Sequence, residues 1–115
     1  MAEGGAGVKL INCTPHTVTV CGLVIPASGI VARVAEEIEI LRAVRVNGVE
    51  IKLAVRRFGK IENLPEPQEG VLLITSALVA QAAWALGRHD VVHPACFERD
   101  DEGRIVGANC LITAE

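Results

Sequence analysis

Residues 71–86, Val-Leu-Leu-Ile-Thr-Ser-Ala-Leu-Val-Ala-Gln-Ala-Ala-Trp-Ala-Leu, constrain what this chain can fold into more than any other stretch. A strand-like apolar run passes through Ser76 into a helical segment whose single strongly polar residue is Gln81. A helix apolar on nearly every side must be buried in its own domain or covered by another subunit. The stretch therefore speaks to architecture and assembly, and names no substrate.

At 115 residues the chain has the size of one domain with a single core. Half the residues are hydrophobic, yet there are only two Phe, one Trp and no Tyr, so the apolar content is aliphatic and suits pleated surfaces. A formal charge of −3 argues against a protein that neutralises phosphates, and scarce aromatics leave little for base stacking. Nucleic acid is therefore not an expected partner, the basic run Arg56-Arg57-Phe58-Gly59-Lys60 being the one exception. Met1 to Gly7 lacks the basic start and apolar stretch of a secretory leader and reads as a flexible N-terminus ahead of one domain at 8–115. No apolar run reaches the roughly 20 residues of a membrane helix, so a soluble, cytoplasmic protein without a membrane partner is expected.

The four cysteines, Cys13, Cys21, Cys96 and Cys110, include no Cys-x-x-Cys pair and do not read as a zinc module. In a mesophile's cytosol they would be small buried hydrophobes; in a hyperthermophile intracellular disulfides are genuine. Cys13 and Cys110, each near a chain end in an expected strand, form the candidate pair, although spacing does not fix connectivity.

Strands are expected at 8–13, broken by Thr14-Pro15, then at 16–23 and 30–34, with a turn at Ile25 to Gly29. The stretch 35–46 could open a helix at its glutamates, but Ile38, Ile40, Val44 and Val46 keep a period of two and favour strand. Asn47-Gly48 between two alternating runs is a hairpin signal, since both turn positions need positive φ. Further strands follow at 71–75, at 95–99 and 104–106 around the acidic turn 100–103, and at 109–113. Ser76 is the expected N-cap and Gly87 the expected helix stop. The expected fold is α+β: a mostly antiparallel, barrel-like sandwich of short strands with one apolar helix at about 76–86.

His89-Asp90-Val91-Val92-His93, with His16, is the one cluster resembling a ligand or acid–base set. The segment lies between Gly87 and Pro94 and is not expected to be helical; on a strand positions 89 and 93 lie about 13 Å apart, too far to share an ion. No metal and no cofactor are expected. Cys96 as nucleophile lacks a local cause for a lowered pKa beyond Arg99. Ser76 lacks the Gly-x-Ser-x-Gly elbow, and no phosphate-binding glycine loop is present.

Several segments occur in one order: Leu10-Ile-Asn-Cys-Thr-Pro-His16, Ile25-Pro-Ala-Ser-Gly-Ile-Val-Ala-Arg33, Leu64-Pro-Glu-Pro67, Ile74-Thr-Ser-Ala-Leu-Val-Ala-Gln81, Arg88-His-Asp-Val-Val92 and Arg99-Asp-Asp-Glu-Gly-Arg-Ile-Val-Gly107. Together they resemble a family of small uncharacterised proteins of prokaryotes and their phages that begin with an Asn-Leu-Thr-Pro-His type motif. Cys13 stands where that family more usually has Leu, and the stretch Glu36 to Ile40 departs from it. The resemblance implies kinship and brings no catalytic residue with it.

The expected function is a non-enzymatic, phage-related binding or interaction module that self-associates. The alternative is a small metal-dependent or acid–base hydrolase using His16, Asp90 and His93. A third reading is a small-anion or nucleotide binder using Arg33, Arg56, Arg57 and Arg88.

Overall fold

In the computed structural model, which describes residues 7–115, eight strands and one helix follow in order. They are β1 (Lys9–Asn12), β2 (Val18–Val20), β3 (Leu23–Ile25), β4 (Arg33–Val46), β5 (Val49–Glu62), β6 (Val71–Ile74), α1 (Ala77–Ala85), β7 (Val91–Arg99) and β8 (Ile105–Ile112). Of the expected flexible start at 1–7, all but Gly7 lies outside the described residues.

Six strands form one sheet in the order β1-β6-β7-β8-β2-β3. The sheet is mixed, which corrects the expected mostly antiparallel one: β1–β6, β6–β7 and β8–β2 are parallel, while β7–β8 and β2–β3 are antiparallel. The physical cause is the helix. A parallel neighbour needs a long crossover, and α1 carries the chain from the end of β6 back to the start of β7. Such central strands are covered on both faces, so they read as unbroken apolar runs. Leu73, Ile74, Val91 and Val92 are accordingly all buried.

The sheet curls until its edges meet, giving a nearly closed barrel. Asn12 at the end of β1 donates from Nδ2 to Ile25 O of β3 at 3.0 Å, and Ser28 N donates to Asn12 O at 3.0 Å. The stretch expected as one strand at 16–23 is instead two, because Cys21 (φ 50°) and Gly22 (φ 80°) make a tight hairpin turn between β2 and β3.

Helix α1 matches the expected segment closely. Val79 N donates to Ser76 Oγ at 3.2 Å, and the end closes as Gly87 N donates to Trp84 O and Arg88 N to Ala83 O. One face is buried, through Val79, Ala80, Ala82 and Ala83, and packs with Cys13, Leu73 and Val91 into the main core. The opposite face, Ala77, Gln81 and Ala85, is exposed. Small residues spare that face the cost of large apolar area in water, so the helix needs covering on one side only.

Strands β4 and β5 are not part of the barrel sheet. Among the described residues they pair only with each other, 14 residues each, around Asn47 (φ 50°) and Gly48 (φ 79°). Val34 and Ile61 pack on the core at the root, and beyond them the ribbon projects as an arm. The radius of gyration is 17.7 Å and the longest extent 58 Å, against about 13 Å for a compact chain of this length.

Candidate functional site

The residues singled out for acid–base or metal chemistry sit in separate environments. Asp90 is gripped by Arg88: Nε donates to Oδ1 at 3.0 Å and Nη2 to Oδ2 at 2.9 Å. Arg88 Nη2 also donates to Pro65 O at 2.7 Å, so the pair pins the proline-rich 63–70 loop to the start of β7. The hydrogen-bonded guanidinium holds the Asp90 carboxyl below the usual aspartate range, and Asp90 raises Arg88 in turn. A carboxylate spent in this way is a fastening.

His93 packs its ring against Trp84, with centroids 5.8 Å apart. Its Nδ1 lies 3.1 Å from Pro94 O. Trp84 in turn donates from Nε1 to Val91 O at 2.8 Å. His89 is exposed on the turn before β7 and His16 on the turn after Pro15. Among the described residues no three His, Cys, Asp or Glu side chains gather to hold an ion.

The Asn12-Cys-Thr-Pro-His16 motif acquires a physical meaning. Asn12 is buried, yet both amide hydrogens are placed, on His16 O at 2.7 Å and Ile25 O at 3.0 Å. Its Oδ1 accepts from Thr14 N at 3.0 Å and Thr14 Oγ1 at 2.6 Å. Every hydrogen-bonding position of the amide is filled, three by the turn it organises and one by Ile25 of β3, which leaves none for a ligand.

Cysteine pairing differs from the expected one. Cys96 and Cys110 form a disulfide across the antiparallel β7–β8 pair, with Cα atoms 5.7 Å apart. The expected Cys13–Cys110 bond is excluded because β6 and β7 lie between β1 and β8. Three strand spacings of about 4.8 Å exceed the reach of a disulfide. Cys13 is a free, buried thiol in the main core, its pKa pushed up by burial, whereas Cys21 is free and exposed. Cys96 is thereby occupied, and Ser76 serves as the helix cap.

Of the four candidate anion-binding arginines, Arg56 and Arg57 line one open cavity of about 340 Å³ between β5 and the end of α1. Both are paired, Arg56 with Glu36 and Arg57 with Glu39. Arg88 is held by Asp90, and Arg33 stands opposite Glu62 at the root of the arm.

The feature that residue-type reasoning passed over is the arm surface. On one face of its outer half Val44, Val46, Val49 and Ile51 lie in two cross-strand pairs, all exposed. A bulge at Leu41 shifts the register, and nearer the root Ile38 and Ile40, 60% and 56% exposed, occupy the other face. A sequence signal for the arm existed: two alternating runs of 14 residues flank Asn47-Gly48, where ordinary strands run to about 5–6. Among the described residues no helix is long and apolar enough to cross a membrane. In comparison with known proteins, the chain matches no family model, no curated protein and no solved structure.

Proposed function

We propose that this protein is a non-enzymatic assembly module that associates with copies of itself through the β4–β5 arm. One observation carries the reading: a two-stranded ribbon, free of the barrel sheet, exposes Ile38, Ile40, Leu41, Val44, Val46, Val49 and Ile51. An isolated hairpin is marginally stable in water, and long apolar edge strands invite pairing with another chain. The apolar face made by Val44, Val46, Val49 and Ile51 on the outer arm is exposed surface of the kind that marks a contact site. Two of the polar candidates support the same reading from the other side, since Asp90 and Arg88 are consumed by bonds within the fold.

Sedimentation velocity over a wide range of protein concentration tests the proposal. Concentration-dependent species heavier than the monomer are expected. Replacing Val46 and Ile51 by Asp should return the protein to monomer without changing its circular dichroism. A wild-type protein that stays monomeric at the highest concentration reached would remove the reading.

A further inference from the structure

A second uncovered apolar surface lies on the barrel, far in sequence from the arm. Phe97, Ile105 and Val106 are each 51–53% exposed. They line a cleft of about 230 Å³ between β2 and the β7–β8 hairpin, floored by Val18 and Ala108. The two surfaces differ in charge. The outer arm, residues 41–53, carries Arg42, Arg45 and Lys52 against the single acid Glu50. The hairpin beside the cleft, residues 98–104, carries Glu98, Asp100, Asp101 and Glu102 against Arg99 and Arg104.

Stacking two outer arms on each other would bring like charges together, whereas arm against cleft brings opposite charges together and covers both apolar surfaces in one contact. We propose that copies of this chain assemble head to tail, the outer arm of one seated in the β2/β7–β8 cleft of the next. This rests on the self-association proposed above and specifies its geometry. Because the contact joins two different surfaces, each added copy leaves one arm and one cleft free. Such a heterologous contact grows into a ring when the rotation closes and into a filament when it does not. The smallest such ring is a two-fold dimer in which two copies exchange arms reciprocally.

Two surface variants test the geometry. One disables the arm (Val46→Asp with Ile51→Asp), the other the cleft (Val106→Asp with Ile105→Asp). Wild type is expected to form a closed ring, the smallest a reciprocal dimer, or a filament, and each variant alone to be monomeric. An equimolar mixture should give a 1:1 dimer that grows no further, since only one intact arm and one intact cleft remain. A cleft variant that associates as wild type does would overturn the head-to-tail geometry while leaving self-association in place. An equimolar mixture of the two variants that stays monomeric would overturn it equally, and a wild type that never associates would remove both proposals.

Charge reversal supplies a measurement independent of the apolar changes. Arg42→Glu, on the face of the apolar pairs, should weaken association severalfold at low salt, and adding Glu98→Lys with Asp101→Lys should restore most of it. Absence of restoration, with all variants folded by circular dichroism, would count against the pairing of these two surfaces.

Discussion

At the scale of single residues, Asn12 and Asp90 are held by bonds within the fold, Asn12 on two backbone carbonyls and Asp90 on the Arg88 guanidinium. Asn12 illustrates the energetics. Replacing it by Ala strips donors from His16 O and Ile25 O at the seam of the barrel, at an expected cost of about 2–3 kcal/mol. Asn12→Asp should destabilise more, because a carboxylate oxygen would then face those two carbonyls. Urea unfolding of the two variants checks the order.

Asp90 gives a pH signature. Its folded pKa is depressed, first by the hydrogen bond from Arg88, so the stabilisation is complete above the unfolded aspartate value of about 3.9 and disappears as pH falls through the folded value. Asp90→Asn should therefore cost about 1–2 kcal/mol at pH 7, with the gap to wild type closing below about pH 4. A gap that stays constant from pH 7 to pH 3 would contradict the pairing. The thiols give a third check. In the native protein a thiol reagent should label Cys21 promptly and Cys13 only on unfolding, because Cys13 is 1% exposed in the main core.

At the scale of elements, the β7–β8 hairpin is tied twice. The tip is set by Asp100, whose Oδ1 accepts from Glu102 N and Arg104 N, both at 2.9 Å. Further back, the Cys96–Cys110 bond closes a loop with a sequence separation of 14. Constraining a loop of that size in the unfolded chain contributes about 3 kcal/mol. Cys110→Ser should lower stability by a comparable amount, and a non-reduced digest should contain a peptide linking 96 to 110. Helix α1 holds its ends by local chemistry, so Ser76→Ala, which removes the bond to Val79 N, should cost about 1 kcal/mol.

At the scale of the whole molecule, barrel and arm are energetically distinct. The main core draws on the barrel, on α1 and on the arm root at Val34 and Ile61, and takes nothing from residues 41–53. Shortening the arm by joining Ile40 to Ala54, which are already cross-strand partners, through Asn-Gly should leave the melting temperature nearly unchanged and abolish association. A large fall in melting temperature would mean the outer arm stabilises the barrel, contrary to the packing.

Local chemistry was legible in the sequence. Asn47-Gly48, the Ser76 cap, the Gly87 stop and the acidic turn at 100–103 each follow from φ preference or a side-chain bond to nearby backbone. The β2–β3 turn was not legible, because Cys21 is an uncommon residue at positive φ and the flanking residues continue the alternation. The candidate site divides the same way. His16, Asp90 and His93 have the residue types for chemistry, but type carries no information about which partner a side chain meets.

Amino-acid order alone determined the aliphatic strand content, the single capped helix and the hairpin at 47–48, since each rests on periodicity or on contacts within a few residues. Only the tertiary structure decided that the sheet is mixed, that Cys110 bonds Cys96 and not Cys13, and that β4 and β5 stand apart from the barrel. Those outcomes depend on which strands become neighbours. An alternating pattern says that a strand has an apolar face; it does not say whether that face turns to the chain's own core or outward to another molecule.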